Sequence, residues 1–120
     1  MNHVSLVSAS ILDVSGTLSR LGGDEDLFRD LIEFFVADAP ELMVALRESA
    51  KVGDRAGVRV KAHALKGLVA GCGGIRAAGV AQQLETAGQS GVSTDLAPLI
   101  QSLQVELDAL TQALLAVRDR

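Results

Sequence analysis

"DRAGVRVKAHALKGLVAGCGG", residues 54–74, carries its own start and stop signals. Asp54 offers a side-chain acceptor to the free backbone N–H groups of a first helical turn, and Gly71, Gly73 and Gly74 end the run. A helix over about 55–71 is predicted. At 100° per residue, Val58, Ala62, Leu65 and Val69 fall within about 60° of one another, an apolar stripe that has to face a core. His63 lies about 100° or more from most of them, and so points outward. Around it lie Ala56, Val60, Ala64, Gly67, Ala70 and Gly71. Exposed helix faces normally carry Glu, Lys and Gln. A small, apolar face with a histidine at its centre has the form of a docking surface.

Working outward, the same period recurs. Asp24 caps a long segment in which Phe28, Ile32, Phe35, Ala39, Leu42, Leu46 and Ala50 return at three- and four-residue steps. Pro40 sits inside that run, where it removes one backbone donor and crowds the carbonyl of Val36, so one kinked helix is expected. "KVGD" at 51–54 is the turn into the histidine segment. Asp13 caps a short helix that runs to about Leu21 before "GGD" at 22–24 stops it. After the glycines, a helix over about 75–88 faces Ala77, Ala81, Leu84 and Ala87 inward. "GQSGVSTD" is a loop, and a last helix over about 95–118 lines up Leu96, Ile100, Leu103, Leu107, Leu110, Leu114 and Val117. Pro98 falls in its first turn, where proline is tolerated. Nothing alternates with period two. The expected architecture is all-α: an up-and-down antiparallel four-helix bundle with a short extra N-terminal helix, over residues 11–120, after a loosely held tail at 1–10.

Composition agrees with helix-on-helix packing. Hydrophobic residues make up 48% of the 120-residue chain, yet Phe28, Phe34 and Phe35 are its only aromatics, so Leu, Ala and Val have to fill the core. The length suits one domain with a single core. A net charge of −4 argues against a nucleic-acid partner. One cysteine, Cys72, excludes an internal disulfide and fits a reducing compartment, where it serves as a small buried hydrophobe. "MNHVSLVSAS" lacks the pattern of a signal peptide, and no apolar run is long enough to insert into a membrane. A cytoplasmic protein is expected.

Charge marks the histidine segment out. Lys51, Arg55, Arg59, Lys61 and Lys66 face Asp54 alone, a local balance of +4, so the rest of the chain sums to −8. Arg59 and Lys66 flank His63 one turn either side. That site would stabilise a dianion added to the imidazole and attract an acidic pocket. Gly67 costs about 1 kcal/mol in a helix interior relative to alanine, and a gap for an incoming phosphoryl group or partner backbone is a reason to keep it. Each feature alone has a plainer explanation: a surface histidine, a solvated basic face, a glycine for helix packing. Their coincidence on one face carries the functional reading. His3, His63 and Cys72 lack metal-ligand spacing, so no metal site is expected.

"AHALKG" at 62–67, followed by Gly73, resembles the signature of histidine-containing phosphotransfer (HPt) domains of two-component phosphorelays. The lead-in from "LGGDEDLF" at 21–28 to "KVGD" and the "LETAG" at 84–88 are similar to the same family, so the resemblance runs from about Ile11 to Leu115. It implies that His63 is phosphorylated, that Lys66 helps neutralise the phosphoryl oxygens and that Gly67 leaves space beside the ring. It also implies a Gln or Glu from the next helix against the histidine: Glu85 by ungapped counting, Gln82 one turn earlier as the fallback. Leu68 departs from the family pattern, which often has a small or polar residue there. The implied function is a phosphorelay carrier that takes a phosphoryl group from a receiver aspartate and hands it to another. The partners would be response-regulator receivers and a hybrid sensor histidine kinase. Mg²⁺ would sit in the receiver's pocket, no cofactor would be bound by this chain, and it would act as a monomer without kinase activity. Two other functions compete. One is the phosphoacceptor and dimerisation portion of a sensor histidine kinase, which usually follows its histidine with an acidic residue and soon a proline; here Ala64, Leu65 and Lys66 follow. The other is a docking-only adaptor bundle.

Overall fold

The computed structural model describes residues 11–90 and 95–120; the expected tail at 1–10, with His3, lies outside them. Five helices and no strand occur among the described residues: α1 Val14–Arg20, α2 Glu25–Lys51, α3 Arg55–Gly71, α4 Ile75–Gln89 and α5 Ala97–Arg118. The first three begin on the aspartates expected to cap them. Asp13, Asp24 and Asp54 each accept a backbone N–H, from Gly16, Leu27 and Gly57, at 2.9 Å in every case. Pro98 sits in the first turn of α5. Pro40 lies within α2, which continues through it as one helix.

The turn at the end of α3 decides where α4 lies. Gly73 takes a φ of +87°, while its N–H donates to the Ala70 carbonyl at 3.1 Å and the Gly74 N–H reaches back to the Val69 carbonyl at 2.8 Å. This is the Schellman arrangement, which uses glycine for its left-handed residue. Gly73 is therefore the residue that stops the histidine helix, and Gly71 is still helical. A three-residue turn then sends α4 back antiparallel along α3.

Helix α2 packs on α3 and α5, and α4 also packs on both, so α2 to α5 close a bundle around one core. Val58, Ala62, Leu65 and Val69 of α3 have no solvent exposure at all. Ile32, Phe35 and Leu46 of α2, Leu84 of α4 and Leu103, Leu110 and Leu114 of α5 meet them. Of the expected inward positions, Leu42, Ala50, Ala87 and Val117 are only half-buried against the core, and beside Leu42 it is Met43 that is buried. After Ala39 a step of three or of four residues keeps a side chain on the inward stripe, and the step of four is used. Helix α1 closes one end, with the Asp13 N–H donating to the Gly73 carbonyl at 2.9 Å and the buried Thr17 hydroxyl donating to the Asp13 carbonyl at 2.6 Å. Cys72 is buried, with its thiol against the Leu31 carbonyl at 3.4 Å. Burial pushes that thiol up to about 11, so it is an unreactive core residue.

Candidate functional site

Helices α3 and α4 form the site because they approach closely. At Gly88 of α4, an added Cβ would stand 3.1 Å from both the Cβ and the backbone N of Arg59, and 3.2 Å from the Arg55 carbonyl. The Arg55 guanidinium donates to the Ala87 carbonyl at 2.6 Å, fixing the same end. With the 72–74 turn at the other end, this sets the axial register, and the register places Glu85 opposite His63.

His63 is exposed over 66% of its side chain, and its Nδ1 lies 2.8 Å from Glu85 Oε2. Glu85 itself is buried to 8% exposure. Its other oxygen, Oε1, is 2.7 Å from the Lys66 ammonium. Lys66 also donates to Gln82 Oε1 at 2.9 Å, and the Gln82 amide donates to Thr86 Oγ1 at 3.1 Å. The Lys66 ammonium holds the Glu85 carboxyl below its ordinary range; burial opposes this, and the His63 contact adds to it. An ionised carboxylate only accepts hydrogen bonds. The Nδ1 of His63 therefore carries the proton, and in the neutral ring this leaves the lone pair on Nε2. Because the Glu85 value is lowered, its contribution to stability is present above the ordinary carboxylate range and is lost only as pH falls through the lowered value. The Glu85 carboxyl carbon should titrate below the ordinary carboxylate range by NMR, and the midpoint should rise in Lys66→Ala. An unchanged midpoint in that variant would show that Lys66 does not hold the carboxylate.

Of the residues expected on the docking face, Ala56, Val60, Ala64, Gly67, Ala70 and Gly71 are all exposed, and Arg59 is half-buried under Gly88. Between Glu85 and Gln82, it is Glu85 that touches the histidine. An added Cβ at Gly67 meets nothing within 4 Å, so helix packing does not explain this glycine. A methyl there would not touch the imidazole either; the space beside the ring is open to the outside. Leu68 leans on the core instead of standing on this face. Two features escaped the sequence. Lys66 engages Glu85 and Gln82, a pairing across helices that depends on register. Ile75, the first residue of α4, is 51% exposed and shares a hollow of about 300 Å³ with Ala70, extending the apolar strip. An isolated isoleucine straight after "GG" was the available signal.

The family profile of the Hpt domain matches residues 30–117. The chain belongs to the Hpt domain family. Its fold resembles the crystal structure of histidine-containing phosphotransfer protein B (HptB) from Pseudomonas aeruginosa PAO1, with a TM-score of 0.84 and 26% identity over 92% of this chain and 96% of that one. No curated protein matches it in sequence. This Hpt domain is a histidine phosphotransfer carrier of phosphorelays, a family of carriers and not of kinases or ATPases that works with response-regulator receivers and kinases. Of its two histidines, His63 lies within the matched residues and His3 does not. No helix among the described residues is long and apolar enough to cross a membrane.

Proposed function

We propose that His63 is the phosphorylated residue, taking a phosphoryl group from one receiver's aspartyl phosphate and passing it to another receiver's aspartate. The observation that carries this is the 2.8 Å contact between His63 Nδ1 and Glu85, which turns an exposed imidazole into an oriented nucleophile. The Nε2 lone pair attacks phosphorus; the N–P bond forms as the acyl P–O bond breaks, and its electrons leave with the receiver's carboxylate. The Nδ1 proton stays in place. Positive charge then grows on the ring and is met by the Glu85 carboxylate. Return transfer reverses each step. Such a reaction needs in-line positioning and charge neutralisation above all. Lys66 supplies one cation, held close by the same carboxylate that orients the ring. Mg²⁺ in the receiver's acidic pocket would offset charge on the phosphoryl oxygens. The exposed strip around His63, with its basic flank, is the surface on which the receiver docks.

The donor side is a hybrid sensor histidine kinase, and the carrier acts in the cytoplasm as a monomer. Monomeric action is supported by the bundle itself, in which one chain supplies all four helices and fully buries the core face of α3. The same fact weighs against a dimerising kinase hairpin. An adaptor without transfer would have no use for the His63–Glu85–Lys66 arrangement. Glu85→Ala tests the proposal. Transfer should slow between about tenfold and a hundredfold, the scale of a reacting group displaced by about 1 Å, while helical content is retained. The ¹⁵N shifts of the imidazole should lose their preference for the Nδ1–H tautomer. Shifts identical in the two proteins would show that the contact does not orient the ring.

A further inference from the structure

The site brings together one carboxylate (Glu85), one ammonium (Lys66), the His63 imidazole and one neutral amide (Gln82): Glu85 contacts the imidazole and ion-pairs with Lys66, and Lys66 donates to Gln82. Lys66 has three N–H donors. One meets Glu85 Oε1 at 2.7 Å and another Gln82 Oε1 at 2.9 Å. Gln82 is itself steadied by Thr86 at 3.1 Å. The amide thus positions the ammonium beside the imidazole without competing for its charge. From this geometry we infer that Gln82 is a positioning residue whose neutrality sets the phosphotransfer equilibrium between this carrier and its receivers.

A phosphoryl group on His63 brings about two negative charges next to Glu85, and Lys66 is the cation already in place to oppose them. With a carboxylate at 82, Lys66 would be shared between two anions before the phosphoryl group arrived. The phosphorylated carrier would become less favourable relative to the phosphorylated receiver. The effect is one of charge and not of shape, because glutamate and glutamine have the same outline and position 82 is exposed.

The inference rests on the phosphorelay reading above. Its test is the equilibrium ratio of phosphocarrier to phosphoreceiver. The full chain is mixed with a purified response-regulator receiver domain charged by acetyl phosphate in Mg²⁺, at low and at high salt. Gln82→Glu should shift the ratio toward the receiver by on the order of tenfold at low salt, and less as salt screens it. Gln83→Glu places the same charge one residue along α4, on another exposed side chain. It should change the ratio less than about twofold. Thermal melts of both variants should match the wild type. If Gln82→Glu equals the wild type, or equals Gln83→Glu, while the wild type is labelled on His63, this inference fails alone. If the wild type takes no phosphoryl group, or carries it elsewhere than His63, the phosphorelay reading falls and the inference with it.

Discussion

His63→Gln should eliminate acid-labile phosphorylation and leave the bundle standing. The side chain is mostly exposed, and none of the core residues of α3 depends on it. The glutamine amide can donate to Glu85 in place of Nδ1–H, and Lys66 continues to pair with that carboxylate. The melting temperature should therefore stay within about 3 °C of the wild type, the usual range for a surface substitution. What glutamine lacks is a nucleophilic lone pair on nitrogen. Phosphotransfer from a charged receiver should fall to background. Retained acid-labile label in this variant would move the phosphorylation to His3.

The second large effect concerns Gly67. An added Cβ meets nothing within 4 Å, so Gly67→Ala relieves a helix-interior glycine without a clash and should stabilise the domain by up to about 1 kcal/mol. Its transfer rate should fall only modestly, since a methyl does not reach the imidazole. Gly67→Gln is different. A long side chain one turn from His63 on the same exposed face would lie across the ground on which a receiver has to sit. This variant should melt no lower than the wild type, yet transfer nearly stops. A melt and a transfer time course on the same preparation check both halves. A stable, fully active Gly67→Gln would mean that the open space is not used by the partner. An unfolded one would contradict the open surroundings of the Cβ.

Caps and faces are local: Asp13, Asp24 and Asp54 act within three residues, and the 58–62–65–69 stripe follows from helical pitch alone. The outward histidine and its small surround were legible for the same reason. Choices between neighbours were not. Leu42 and Met43 fit the stripe about equally, and it is Met43 that is buried. Three glycines lie between 71 and 74; the family resemblance pointed to Gly73, but helical pattern alone did not choose among them, and the positive φ of Gly73 does. The engagement of Lys66 with Glu85 and Gln82 depends on the height of α4 along α3, which the 72–74 turn and the close approach at Gly88 set together. No pattern within either helix contains that height.

The most direct measurement follows one phosphoryl group through a complete relay step. The carrier is phosphorylated by a charged receiver domain, freed from it, mapped by mass spectrometry at alkaline pH, and then mixed with a second, unphosphorylated receiver in Mg²⁺. The phosphoryl group should be found on His63 and should then leave for the second receiver's aspartate. A phosphoryl group located on any other residue, or one that stays on His63 with no transfer onward, would contradict the account.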